Sequence, residues 1–232
     1  MAYWVLKVLL SPVFLALFRV RVEGRSQVPL RGPAILAANH QSFCDSFFLP
    51  LVLRRKVTFL AKAEYFDSPR TAWFFRAAGQ IPIRRQDSGE AASALSTALG
   101  VLSAGRLLAL YPEGTRSPDP RVHRGRTGVA RLAQQSGAPV VPVGISGTSA
   151  IQPRGSMVMR PFHTVTLRFG SPLTLEPPAD PGGEAAALRS FTDELMAEIA
   201  RLSGLPYVDR YIQRSLPGAP RASQPSPSSP LS

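Results

Sequence analysis

Seven short apolar runs limit what this chain can fold into. They are RVRVEG (19–24), AILAAN (34–39), VTFLA (57–61), QIPIR (80–84), LLALY (107–111), PVVPVGI (139–145) and the alternating TVTLRF (164–169). Their lengths suit strands and are short for helices. Helical stretches lie near 43–53, 70–78, 88–103, 125–136 and 184–203. Strands alternating with helices bury their apolar sides by stacking helices on a sheet. The pattern therefore predicts an α/β fold with a mixed central sheet of about seven strands flanked by helices. In such sheets chemistry gathers in loops beyond the carboxyl ends of the strands.

Both ends of the chain differ from this pattern. AYWVLKVLLSPVFLALF (2–18) is apolar apart from Lys7, Ser11 and Pro12. As a straight helix it would reach about 25 Å, slightly short of a hydrocarbon core of about 30 Å. Tyr3 and Trp4 suit a membrane interface, and Lys7 would snorkel there. The alternative is a buried core helix. Past Leu216 the sequence is rich in proline and serine, the composition of a disordered tail. The expected organisation is a membrane-associating helical segment over 1–18, one domain over 19–215 and a tail over 216–232.

Cys44 is the single cysteine, so no disulfide framework exists, and it forms no zinc-type spacing with His40, His123 and His163. No metal is expected. The net charge of +12 rests on 27 basic residues, of which only Lys7, Lys56 and Lys62 are lysine. Nucleic acid, an anionic membrane and a phosphorylated substrate all present phosphate to arginine. Compositional bias toward arginine is the plainer account, so charge alone does not choose.

More specific chemistry lies in LAANHQSFCDSFFL (36–49). His40 and Asp45 would point apart on one regular helix. They meet if His40 lies in the turn after the 34–39 strand and the helix starts later. Ser42 to Asp45 reads as a capping box, which gives Asp45 a purely structural role. The same geometry lets Asp45 fold back and orient His40 as a general base. Cys44, among Phe43, Phe47 and Phe48, reads as a small hydrophobe, with a nucleophile at a helix start as the alternative. Other polar groups follow strands: Lys62, then Arg84 and Arg85, then Glu113, Gly114, Thr115 and Arg116. Taken singly, each cation reads as a solvated surface group; together at strand ends they make a phosphate pocket credible, and Glu113 would pair with Arg116 to hold its guanidinium.

Four blocks appear in order: N-H-x-x-x-x-D at Asn39–Asp45, G-x-I-P-I-x-R at Gly79–Arg85, Y-P-E-G-T-R-S at Tyr111–Ser117 and V-P-V at Val141–Val143. Together they resemble the glycerolipid acyltransferases, specifically the 1-acyl-glycerol-3-phosphate acyltransferase family, across roughly residues 20–205. The resemblance implies transfer of a fatty acyl group from acyl-CoA or acyl-carrier protein to the free hydroxyl of lysophosphatidic acid, without a cofactor or an acyl-enzyme. His40 would be the base and Asp45 its orienting partner. Arg85, Glu113, Gly114, Thr115 and Arg116 would bind the glycerol phosphate, with Ser42, Lys62 and Arg124 in the wider substrate-binding set. V-P-V would support the site and an acyl tunnel. The family's habit implies an anionic membrane surface as partner, at the cytoplasmic face of the cell membrane, and no nucleic acid.

One departure touches the acceptor. Where family members often carry phenylalanine-lysine-x-glycine, this chain has Val122-His123-Arg124-Gly125. That leaves a sister acceptor open: glycerol 3-phosphate, an amino-lipid or a glycolipid. In a different class, a non-catalytic basic membrane-binding module would explain the charge but not the motifs.

Overall fold

The computed structural model describes residues 2–83, 90–156, 158–176 and 181–213. Seven strands form one sheet: β1 (Arg19–Glu23), β2 (Ala34–Ala38), β3 (Val57–Lys62), β4 (Ile81–Ile83), β5 (Leu107–Leu110), β7 (Val140–Ser146) and β8 (Thr164–Phe169). Their spatial order is β1-β8-β7-β2-β5-β3-β4. From β7 to β4 every pairing is parallel, and β8 runs antiparallel to β7, carrying β1 with it. The expected mixed seven-strand sheet is what forms. A further two-residue pair, β6 (Val122–His123) with β9 (Tyr207–Val208), ties the C-terminal strap to the loop after β5.

The helices are α1 (Ala2–Leu17), α2 (Asp45–Val52), α3 (Pro69–Ala77), α4 (Glu90–Ser103), α5 (Gly128–Ser136), the short α6 (Thr148–Ile151) and α7 (Glu184–Ser203). They cover both faces of the sheet, so β2 is buried at all five positions. Its side chains alternate between two cores. Ala34, Leu36 and Ala38 join Phe48 and Leu49 of α2 and Phe14 of α1. Ile35 and Ala37 join Leu102, Leu132 and Leu195 from α4, α5 and α7. Gly144 lets β7 approach α7 closely. A Cβ there would lie 2.3 Å from the Leu202 carbonyl carbon and the Ser203 nitrogen.

The two central connections diverge. From β2 the chain passes over β5 through α2 to reach β3, on the first face. From β5 it passes over β2 through α5 to reach β7, on the second face. A crevice opens between the carboxyl ends of β2 and β5, where ligand sites form in open α/β sheets.

α1 lies against the first face. Tyr3 is turned inward rather than to an interface, and its hydroxyl accepts the Val57 N–H at 3.3 Å. Lys7 does not snorkel: its Nζ donates to the Leu53 carbonyl, and burial pushes its pKa down. The outer face is bare and apolar, with Trp4, Val5, Val8, Leu9, Val13 and Leu15 exposed. Among the described residues no helix is long and apolar enough to cross a membrane. The tail expected over 216–232 lies outside the described residues.

Candidate active site

His40 stands two residues beyond Ala38, where β2 ends. The Asn39 side chain works in place of a ladder rung: Nδ2 donates to the Ile145 carbonyl at 2.8 Å and Oδ1 accepts the Ile145 N–H at 2.7 Å. This pins the β2 turn to β7. The chain then folds back before α2 begins, and Asp45 arrives under the imidazole with His40 Nδ1 to Asp45 Oδ2 at 2.9 Å. The same oxygen accepts the N–H groups of Gln41 at 2.8 Å and Ser42 at 2.9 Å. Asp45 is fully buried, whereas the His40 side chain keeps 15% exposure. With Nδ1 on the carboxylate, Nε2 is the nitrogen left to take a proton.

The capping box forms only by half. Asp45 accepts the Ser42 N–H, but the Ser42 hydroxyl donates to the Gln152 carbonyl at 2.8 Å instead of capping α2. The helix starts at Asp45, with Cys44 as N-cap and no side-chain cap bond. Ser42 is buried and its hydroxyl is occupied, so it braces the turn against the end of α6. Cys44 is fully buried, and burial pushes its thiol up to about 12. A thiol held neutral in the core is a poor nucleophile.

The loop after β5 grips His40 from three sides. Glu113 Oε1 accepts the His40 N–H at 3.0 Å, and the Ser117 N–H donates to the His40 carbonyl at 2.7 Å. The Tyr111 ring stacks on the imidazole, with centroids 3.8 Å apart and planes 6° from parallel. Tyr111 Oη and Ser46 Oγ share a hydrogen bond of 2.9 Å, so the stack is anchored to α2 as well. The sequence marks Tyr111 as the end of a strand and the start of a motif but does not point to the stack; its position beside Pro112 is the available signal.

Glu113 does not pair with Arg116. Its second oxygen, Oε2, accepts the His123 N–H at 3.1 Å, so the carboxylate bridges two loops through backbone amides. Burial raises its pKa from 4.5 to about 7, against the lowering effect of those two bonds. Gly114 takes φ 77°, a left-handed turn that directs its N–H to the Tyr111 carbonyl at 2.9 Å. Thr115 and Arg116 are half-buried beside this turn, and the Arg116 side chain has no hydrogen bond or ion pair among the described residues. Arg124 is engaged: it lies 3.4 Å from Asp209 and 5.2 Å from the Tyr211 ring. His123, at the family's lysine position, is buried with Nε2 2.8 Å from Asp119 Oδ1. Lys62 closes β3, but its side chain lies outside the described residues, as does the whole of Arg85. Among the described residues no cluster of His, Cys, Asp and Glu could hold a metal ion.

An apolar cleft lies between α1 and α2, and Ser46, next in sequence to Asp45, lines it. Leu6, Leu10 and Phe14 of α1 face Phe47 and Leu51 of α2, with Phe59 of β3 alongside. Ser46, the partner of Tyr111, lies on its wall and connects it to the His40 stack. The arrangement thus joins a proton acceptor, an uncommitted guanidinium and an apolar channel.

A profile of the family described as Acyltransferase matches residues 19–146. The chloroplastic 1-acyl-sn-glycerol-3-phosphate acyltransferase LPAT1 of Arabidopsis thaliana is 33% identical over 140 residues, 60% of this chain and 39% of that protein. A lyso-ornithine lipid O-acyltransferase of Pseudomonas aeruginosa is 34% identical over 130 residues, covering 56% of this chain and 48% of that one. The crystal structure of the 1-acyl-sn-glycerophosphate (LPA) acyltransferase PlsC from Thermotoga maritima superposes with a TM-score of 0.66 at 27% identity, covering 84% of this chain and 77% of that one. The chain spans about two fifths of the length of the first curated relatives it matches. With the profile spanning both the His40–Asp45 turn and the loop that holds it, this chain belongs to the acyltransferase family.

Proposed function

We propose that the protein transfers a fatty acyl group from a thioester, acyl-CoA or acyl-carrier protein, to the free hydroxyl of lysophosphatidic acid, giving phosphatidic acid. The observation that carries this reading is the His40–Asp45 pair at 2.9 Å, gripped by the loop that also presents Arg116. His40 Nε2 takes the acceptor's hydroxyl proton as its oxygen attacks the thioester carbonyl. The tetrahedral intermediate collapses, the C–S bond breaks, and the imidazolium returns its proton to the leaving thiolate. Asp45 stabilises the imidazolium and fixes the ring. No covalent enzyme intermediate is needed, in keeping with the burial of Cys44.

Arg116, supplemented by Arg85, is the proposed phosphate ligand, and the cleft between α1 and α2 takes the acyl chain. The bare outer face of α1 lies in a membrane interface without crossing it, on the cytoplasmic side where the thioester donors are. Names of related proteins support this acceptor: the Arabidopsis relative is called a 1-acyl-sn-glycerol-3-phosphate acyltransferase.

A second reading, acylation of a lyso-amino-lipid, is favoured by the tethering of His123 at the family's lysine position and by the name of the Pseudomonas relative. A panel of lyso-acceptors with one labelled acyl-CoA, products resolved by mass, separates the two. Labelled phosphatidic acid is expected. Product formed only on the amino-lipid would establish the second reading, and thiol release that needs no acceptor would overturn both.

A further inference from the structure

The connection from Ile151 to β8 contains the chain's one strained bulky residue among those described. Phe162 takes φ 66°, a backbone region that aromatic side chains rarely adopt. Packing does not account for it, because the ring is 71% exposed. The backbone around it is clamped. The Phe162 N–H donates at 2.7 Å to the carbonyl of Leu17, the last residue of α1, and the Arg19 N–H donates to the His163 carbonyl at 3.0 Å. Met159 packs against the core of the first face, while Val158 stands 71% exposed. The fold therefore holds two large apolar side chains in water, from a loop fastened to the end of a helix whose own outer face is apolar and bare.

The charges around them narrow the partner. Arg154 and Arg160 are exposed and have no ion pair among the described residues. No acidic residue stands anywhere between Asp119 and Glu176. Apolar side chains interleaved with unopposed guanidinium groups match an anionic bilayer surface, with the apolar groups below the phosphates and the cations among them.

We infer that the loop over 152–163 is a second membrane-entering element, which places Val158 and Phe162 below the headgroups of an anionic bilayer with Arg154 and Arg160 at the phosphates. This rests on the reading of α1 as a membrane face and extends it toward the catalytic turn. At its other end the loop touches that turn: the Gln152 carbonyl accepts the Ser42 hydroxyl, and Gln152 Nε2 donates to the Ser156 carbonyl at 3.2 Å. Two points of entry, α1 and the loop, fix the tilt of the domain and seat the His40 turn at the depth of a lysolipid's glycerol.

The chain's two tryptophans, Trp4 and Trp73, make the test direct. A Trp4→Phe, Trp73→Phe, Phe162→Trp protein reports the loop, and a Trp73→Phe protein reports α1. Each is titrated with vesicles of phosphatidylglycerol and phosphatidylcholine carrying a nitroxide just below the headgroup. Both emissions are expected to shift blue and be quenched. Quenching of Trp4 with an unmoved signal at position 162 overturns the loop inference and leaves the α1 reading standing. If neither responds, both fail. A blue shift at position 162 that follows protein concentration without vesicles also overturns it, assigning the face to a second copy of this chain. In the native sequence, Val158→Asp with Phe162→Asp should lower vesicle partitioning at least about tenfold, with an unchanged melting temperature in the absence of lipid. Unchanged partitioning overturns the inference.

Discussion

Asp45 supplies one oxygen to three donors, His40 Nδ1 and the N–H groups of Gln41 and Ser42, so it sets both the shape of the turn and the orientation of the ring. A structural role predicts that Asp45→Asn keeps activity, since an amide oxygen still accepts backbone N–H groups. A catalytic role predicts loss of most activity, since an amide carries no charge to stabilise imidazolium. The expected pattern is a folded His40→Ala protein down by about 10²–10⁴-fold, Asp45→Asn similarly impaired, and Cys44→Ser active with some loss of stability. Acceptor-dependent thiol release at matched folded concentration measures all three, and an active His40→Ala protein would sink the mechanism. Arg116 gives a separable readout. Removing a charge-assisted phosphate contact costs about 1.5–3 kcal/mol, so Arg116→Ala should raise the acceptor KM roughly ten- to a hundredfold with little change for the donor. Arg116→Lys should recover only part, because the planar fork is lost. Unchanged acceptor kinetics would remove the residue from the site.

The elements were readable where burial alone determined them. Each of the seven runs became a strand, but not for one reason: the central β2, covered on both faces, needs an unbroken apolar stretch, β8 keeps the alternation of a half-buried strand, and the edge strand β1 stays largely exposed. The β6–β9 pair left no such trace: two residues on each side are brought together by the path of α7, not by a local pattern. α1 was legible as apolar but not as two-sided, since its inward and outward faces are both apolar. Glu113 was misread because sequence shows its neighbour Arg116, whereas its partners are backbone amides 73 and 10 positions away. That bridge between the β2 turn and β6 has its own pH signature. Between about 4.5 and about 7 the folded chain holds a proton on Glu113 that the unfolded chain has released. Its contribution to stability therefore falls as pH rises through that window and is level above it. Glu113→Gln should abolish this slope in urea melts run across the window. It also turns an amide NH₂ toward a backbone N–H, costing about 1–3 kcal/mol and loosening the grip on His40. An unchanged slope would mean another group is responsible. At the β7–α7 contact, Gly144→Ala should cost about 1–3 kcal/mol or more, read as a lower urea midpoint, because the added carbon meets backbone rather than a movable side chain.

At the scale of the whole molecule, the sheet divides the labour. Its carboxyl edge carries the dyad, its first face carries α1, α2 and the apolar cleft between them, and its second face carries α4, α5 and α7 as support. On the proposed function, the acyl chain in the cleft and the proton transfer at His40 would meet at Ser46, which lines the cleft and bonds Tyr111 of the His40 stack. The burial of Cys44 has a consequence of a different kind. As the chain's single thiol, wholly enclosed and pushed up to about 12, it is hidden from alkylating reagents until the α2 turn opens. With acyl-CoA as the proposed donor, a disulfide dye added to the native protein should therefore report only the coenzyme A released. The same dye left with resting protein becomes a clock: the slow appearance of one equivalent of label counts openings of the core around α2. Lipid that occupies the cleft beside α2 should slow that clock, and label that enters at once would show the turn to be open already.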